Sequence, residues 1–256
     1  MNKLLIAENF DRSARTYDRY AFVQRTAAGR LAGQFPRGGV SSILEIGMGT
    51  GLLTEMLLKM FPGARIDALD ISPGMVETAR ARFAGNPAFS CTTIDAEIFE
   101  PDKRYELIAS NAVFHWFSGL DGAVAKYRSA LAGGGMLAFT AFGPQTFQEL
   151  RGALQACFGP ETAIASSSFP GADAYRGVLK KYFPVFRVEE VLIREDFDSL
   201  LELVRAIKRT GTRGSGLPGG IPWGRGILKE VEKSYRRQHG GICASFNLLV
   251  CRACAE

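Results

Sequence analysis

Residues 42–142 repeat one unit: a short apolar run, a turn, then an amphipathic stretch. The apolar runs fall at Ser42–Ile46, 65–69, 89–94, 107–110 and 136–142. Helical spacing occupies Leu52–Met60, 74–83 and 120–131, with Pro62-Gly63 and Gly133-Gly134-Gly135 as stops. Few folds accept such alternation. It predicts parallel strands with helices on both faces and all strand C-termini on one edge. Ligands of doubly wound sheets bind at that edge. The first loop there reads ILEIGMGTG, with glycines at 47, 49 and 51. Without a Cβ, each lets the backbone pass close to a bound group.

Beyond residue 142 the rhythm changes. Helices are predicted at 146–158, Ala172–Tyr182, Leu200–Arg209 and 227–238, and strands at 185–193 and 244–250. The expected fold class is α/β: a doubly wound, Rossmann-like, seven-stranded sheet in a single domain, 1–256. A helical N-terminal cap would span 1–40, where Phe10, Ala14 and Tyr17 recur at helical spacing before Pro36-Arg37-Gly38-Gly39. The cofactor-binding core would span 41–142. Residues 143–256 would supply substrate-binding helices, a lid and final antiparallel strands. The lid candidate is TGTRGSGLPGGIPWGRG, residues 210–226, since functional loops are often long and glycine-rich.

With 46% hydrophobic and 22% charged residues, the chain has enough apolar surface for one globular core. No apolar run approaches the roughly 18–20 residues that span a bilayer, and the start, MNKLLIAENF, is too charged for a signal peptide. Five cysteines, an odd number, fit reduced thiols and a cytoplasmic setting. The isolated Cys251-x-x-Cys254 lacks a second pair, so no metal is expected. Net charge is +5, and residues 201–256 hold ten Lys/Arg against four Asp/Glu. A basic patch suits an anionic partner.

The glycine loop is not the dinucleotide fingerprint, because the third glycine is Gly51, one position early, and Leu52 fills its place. Glu45, at the strand tip, would repel a pyrophosphate and suits a cationic ligand. Asp70, nineteen residues beyond Gly51, ends the next strand, where an acid accepts hydrogen bonds from ribose hydroxyls. Asp95, in IDAE, is positioned to meet an adenine amino group. An amino-acid end, a ribose and an adenine together describe S-adenosylmethionine. The series E-x-G-x-G-x-G, LDIS and IDAE resembles the cofactor motifs of class I S-adenosylmethionine-dependent methyltransferases over roughly residues 40–142. That resemblance implies that Gly47, Gly49 and Gly51 face the methionine part and Asp70 the ribose. It sets Ile71 and Met75 around the adenine, Asp95 and Ala96 at its edge, and Asn111 near the sulfur. Met48 departs from the small residue or cysteine common at its position.

Methyl transfer from a sulfonium needs an aligned nucleophile and exclusion of water. A hydroxyl or amine acceptor often needs a base, whereas a carboxylate is already ionised at pH 7. His115, in NAVFHWF, is the only histidine near the motifs and sits among aromatics. It and Trp116 read as positioning or packing residues, with Phe117 beside them, and no catalytic base is assigned. A carboxylate acceptor needs a cation. The candidates are Arg151, Arg205, Lys208, Arg209 and Arg213, with Arg205 and Lys208 three apart on one helix favoured and Arg151 beside them.

Segments outside the core extend the likeness. FDRSARTYDRYAFVQ, SNAVFHWF, FGPQTFQELR and VRAIKRTGTR together resemble the malonyl-acyl-carrier-protein O-methyltransferases of biotin synthesis over nearly the whole chain. The resemblance implies esterification of the free carboxylate of a malonyl thioester carried on phosphopantetheine or coenzyme A. It implies that Tyr17, in TYD, covers cofactor or substrate, with Tyr20 a second choice. The helix KEVEKSYRRQ, bearing Lys229, Lys233, Arg236 and Arg237, would meet an acidic carrier protein. Three features depart from the family pattern: His115 replaces a common glutamine, Phe246 replaces an aromatic hydroxyl, and the loop after Arg213 is unusually rich in glycine. Alternatives are a methyltransferase acting on a free polycarboxylate such as aconitate, a tRNA methyltransferase, and a cofactor-binding protein without turnover. No N-P-P-Y type motif or appended RNA module supports nucleic acid, and no membrane partner is expected.

Overall fold

A computed structural model describes residues 2–211 and 224–256. Most of the 210–226 lid candidate, with Arg213, lies outside the described residues. Three helices open the chain: α1 (Lys3–Ser13), α2 (Tyr17–Tyr20) and α3 (Phe22–Ala32). The core alternates β1 (Ser42–Ile46), α4 (Leu52–Met60), β2 (Arg65–Asp70), α5 (Pro73–Arg82), β3 (Phe89–Thr93), β4 (Tyr105–Ser110), α6 (Leu120–Ser129) and β5 (Leu131–Phe142). The remainder is α7 (Gln148–Phe158), α8 (Ala172–Tyr182), β6 (Val185–Phe197), α9 (Leu200–Arg209), α10 (Arg225–His239) and β7 (Ile242–Cys254).

One seven-stranded sheet orders these as β3-β2-β1-β4-β5-β7-β6. The first five strands pair in parallel, and β7 runs antiparallel to both β5 and β6. The doubly wound α/β expectation therefore holds. Order reverses between β1 and β4, so a crevice opens at their C-terminal ends. Alternate residues feed opposite cores: Ile43, Ile66 and Leu107 pack on one face, and Leu44, Leu69 and Ile108 on the other. Parallel strands buried on both faces explain why these runs are continuously apolar rather than alternating.

Three boundaries differ from the sequence expectation. The N-terminal segment is broken at residues 14–16 and again at Ala21, not continuous. Helix α6 ends at Ser129, and the glycine triplet lies inside β5 instead of stopping a helix. There Gly135 O accepts from the Ala255 N–H at 2.8 Å, and a Cβ on Gly135 would lie 2.9 Å from Ala132 O. The triplet thus permits close backbone approach at a bulge, where the β4–β5 register shifts. Strands β6 and β7 each extend to thirteen residues because their main-chain ladder continues past the apolar stretch. Cys251 and Cys254 therefore sit three apart on a strand and point to opposite faces, which excludes a shared clamp.

A buried polar staple joins α7 to β7. Glu149 is 7% exposed and accepts from the Ser245 N–H at 3.0 Å and the Ser245 hydroxyl at 2.5 Å. The Thr146 hydroxyl accepts the Asn247 N–H at 3.1 Å. Although burial opposes ionisation, these donors hold Glu149 below the usual carboxylate range. Glu149→Ala would leave the Ser245 N–H buried and unpaired. The expected cost is about 1–3 kcal/mol, read as a lower denaturation midpoint at unchanged m-value.

Candidate active site

The ends of β1 and β2 shape the centre of the site. After Ile46 the chain turns through Gly47, Gly49 and Gly51, with φ of +66°, +57° and +92°. These are left-handed conformations that side chains resist. Space is also limiting: a Cβ on Gly47 would strike the Val113 side chain, and one on Gly51 the Phe83 ring. The Met48 N–H donates to Leu69 O at 3.0 Å. The Gly49 N–H donates to one Asp70 oxygen and the Ser72 N–H to the other, each at 2.8 Å. Burial pushes Asp70 up to about 6, although both N–H bonds pull the other way. It is chiefly ionised at pH 7.

A cavity opens above this loop. Of the residues assigned from sequence, Gly47, Gly49, Asp70, Ile71, Met75, Asp95, Ala96, Asn111, Tyr17 and Trp116 line it together. Asn111 is fixed by donating to Gln24 O at 3.0 Å and accepting from the Thr140 hydroxyl at 2.7 Å. Trp116 lies on the 3-10 turn Phe114–Trp116 and meets Phe10 and Phe169 edge-on. The Tyr17 hydroxyl is kept protonated by burial and by the negative fields of Asp70 and Asp18.

Others fall elsewhere. Gly51 is the N-cap of α4, behind the cavity wall. Glu45 is 1% exposed, beneath the loop, where its carboxyl accepts the Thr54 hydroxyl at 2.6 Å. Burial pushes it up to about 8, so it is neutral at pH 7 and presents no charge to a cationic ligand. His115 is also outside the cavity wall, 1% exposed, with Nδ1 accepting the Phe142 N–H at 3.3 Å. Burial lowers it to about 3, leaving a neutral ring packed edge-on against Phe142 and Phe169. It supports the aromatic wall and does not titrate near neutrality. Arg151 donates to Pro144 O at 3.2 Å. Arg205, Lys208 and Arg209 border a separate cleft beside α1, with Arg12 and Ser13. Tyr20 lines a third pocket, with Phe246 and Phe147.

Several site residues escaped the sequence reading. Lys3, Ile6 and Phe10 of α1 form one wall of the cavity. Lys3 donates to Asp95 at 2.5 Å and also pairs with Glu97. Asp11 accepts the Gly74 N–H at 2.7 Å, which docks α1 on α5. Asp18 accepts the Thr50 hydroxyl at 2.5 Å and an Arg82 N–H at 3.2 Å, holding Tyr17 over the glycine loop. The usable signal was the spacing of Ile6 and Phe10 on one helical face. Among the described residues no cluster of His, Cys, Asp or Glu suits a metal. No helix among them is long and apolar enough to cross a membrane.

Because Glu45 is raised when folded, its protonated form stabilises the fold, and that contribution is lost as pH rises through about 8. Glu45→Gln mimics the neutral acid. The wild type should lose melting temperature as pH rises from about 4.5 to about 8, and Glu45→Gln should flatten that slope; parallel slopes would mean the carboxyl is ionised throughout.

Comparison with known proteins agrees with this geometry. A family model described as a methyltransferase domain matches residues 44–137. The chain is 36% identical to malonyl-[acyl-carrier protein] O-methyltransferase 1 of Ilyobacter polytropus, covering 94% of this chain and 89% of that protein. Against malonyl-[acyl-carrier protein] O-methyltransferase 2 of the same organism, identity is 33% over 93% of this chain and 92% of the relative. Among solved structures, the YcgJ protein of Bacillus subtilis superposes with a TM-score of 0.64 at 13% identity, over 90% of this chain and 98% of that one. The chain belongs to the malonyl-[acyl-carrier protein] O-methyltransferase family, and it is a methyltransferase enzyme.

Proposed function

We propose that the enzyme transfers the methyl group of S-adenosylmethionine to the free carboxylate of a malonyl thioester on acyl-carrier protein, the ester that starts biotin synthesis. The carrying observation is the kinship over nearly the whole chain with proteins named for that reaction. The cavity supports the cofactor. Asp70 keeps lone pairs for ribose hydroxyls, Asp95 and Ala96 form the far edge, and the Gly47–Gly49 backbone approaches the amino-acid end. When bound, the cofactor supplies a sulfonium-bound methyl whose carbon–sulfur bond breaks as the carboxylate oxygen bonds to it, the electron pair staying on sulfur.

The chain's own residues then position and dehydrate. Phe10, Trp116 and Val113 provide an apolar wall, and Tyr17 and Asn111 bring polar groups to it. Among the described residues the only cation on the cavity wall, Lys3, is engaged by two carboxylates, and His115 is neutral and outside it. A site so poor in bases suits an acceptor that is already ionised, which a carboxylate is. Of the substrate cations weighed from sequence, Arg151 is turned to a backbone carbonyl, and Arg205 and Lys208 line a separate cleft.

Helix α10 gives a docking face. Lys229, Lys233, Arg236 and Arg237 are all exposed, at spacing that aligns them along one side. Arg236 is partly committed to Glu232 at 2.8 Å and to Asp198 O. We assign 1–40 as cap, 41–142 as cofactor core and 143–256 as the substrate side. The free cysteines fit a cytoplasmic setting.

Methyl-labelled cofactor offered with malonyl-carrier protein, malonyl-coenzyme A, aconitate and bulk tRNA tests the reading. Base-labile label should favour the malonyl carrier; label on aconitate or tRNA alone would overturn the substrate. Lys233→Glu with Arg237→Glu should raise the KM for the carrier several-fold more than for malonyl-coenzyme A. Equal effects would remove α10 from the docking surface.

A further inference from the structure

Four cations meet in one cleft outside the methyl-transfer cavity. Arg205, Lys208 and Arg209 project from the last turns of α9, and Arg12 from α1 faces them, with Ser13 and Thr16 on the floor. All four cations are exposed. Among the described residues, no carboxylate lies within 4 Å of Arg205, Lys208 or Arg209, whereas Arg12 pairs with Glu8 at 2.9 Å. Positions 205, 208 and 209 are three and four apart, where like charges on a helix repel. Cations in a last turn stabilise a helix C-terminus, which accounts for Lys208 and Arg209. It does not account for Arg205, nor for Arg12 opposite. The floor hydroxyls already donate to backbone: Ser13 to Asn9 O at 2.7 Å and Thr16 to Ser13 O at 3.2 Å. What the cleft offers is ammonium and guanidinium donors around a hollow, with no resident acid among the lining residues.

Its location limits the occupant. Helix α1 borders both hollows: Ile6 and Phe10 line the cofactor cavity, while Arg12 and Ser13 line the cleft. Thr16 and Tyr17, consecutive in the chain, divide the same way just past the end of α1. The two hollows are thus separate, with no lining residue in common. A group held in the cleft cannot be the carboxylate that meets the methyl. It must be a second anion, joined to the reacting acid by a flexible chain that passes the turn at residues 14–16. A thioester carried on a pantetheine arm has one such anion, the phosphate at the arm's far end. Multiple donors in fork and point geometry suit phosphate oxygens.

We propose that Arg12, Arg205, Lys208 and Arg209 form a phosphate site that anchors the carrier arm of the substrate, distinct from the methyl-transfer cavity. The site deepens the malonyl-thioester reading and rests on it for the identity of the arm. Helix α9, which supplies three of the cations, packs on α10, the basic docking helix. A carrier seated on α10 would therefore deliver its arm past this cleft. The assignment also explains why the two cations favoured as a carboxylate clamp lie away from the cavity.

The test compares malonyl-phosphopantetheine with malonyl-pantetheine, which differ only in the phosphate. For the wild type, kcat/KM should favour the phosphorylated thioester by about tenfold or more, the scale of one or two charge-assisted contacts. Arg205→Gln with Lys208→Gln should collapse that preference toward one, and added salt should erode it in the wild type. A wild type indifferent to the phosphate, or a variant that keeps the preference, would overturn the site. A variant weakened equally toward both substrates would also overturn it, because that pattern belongs to a carboxylate clamp or to misfolding. Calorimetric titration with phosphopantetheine alone gives a readout without turnover. Binding lost in the variant supports the site even if malonyl thioesters are not the methyl acceptors, and binding retained overturns it. Failure of the wild type to methylate either thioester would instead sink the proposed function.

Discussion

Two hydrogen bonds to one buried carboxylate organise the catalytic edge. Asp70 takes the Gly49 N–H on one oxygen and the Ser72 N–H on the other. It thereby couples the loop after β1 to the start of α5. Burial alone would favour the protonated acid, and the two donors only partly offset it. The charge is retained at pH 7 with little surplus, which suits a group that still has lone pairs to give a ligand. The loop's left-handed glycines follow from this arrangement. A residue with a Cβ at Gly47 would push against Val113 and lift the backbone off Asp70.

Much of this was legible from residue order. Alternation of apolar runs and helical stretches is a local signal, and it located the sheet, the loop and the acids at the strand tips. The fold around Glu45 was not legible. A carboxylate at a strand tip looks ligand-facing in sequence, but strand β1 turns it beneath the loop to Thr54. Facing direction depends on the pleat phase relative to a cavity, and no neighbour in sequence records that. Asp11 with Gly74, Lys3 with Asp95, and Asp18 with Arg82 span 63, 92 and 64 positions. Lys3, Asp11 and Asp18 are ordinary surface charges until α1 and α2 fold back over the sheet edge.

The glycine triplet shows the converse error. In sequence it reads as a helix stop, and α6 does end just before it. Its three-dimensional role is different, because the chain re-enters the sheet at once and Gly135 meets the C-terminal strand end at Ala255. Strand β7 is similarly extended by its two neighbours. Paired on both sides, it carries Arg252 into the ladder although charge would argue against a strand there. Main-chain hydrogen bonding, which every residue offers equally, overrides composition in a central strand.

Helix α1 borders two fields of opposite sign. Along the cavity lie Asp70 and Asp95, with Lys3 as the one balancing cation among the described lining residues. Along the cleft lie Arg12, Arg205, Lys208 and Arg209. A positively charged sulfonium cofactor is matched to the first field, and the proposed anionic arm to the second. Methyl transfer changes this balance. The cofactor loses its sulfonium charge and the acid loses its negative charge as the neutral ester forms. The spent cofactor is therefore less matched to the acidic wall than the sulfonium was, whereas the ester sheds the repulsion that its carboxylate met there. An enzyme arranged this way loosens its hold on the spent cofactor without requiring any titratable group in the cavity to change state.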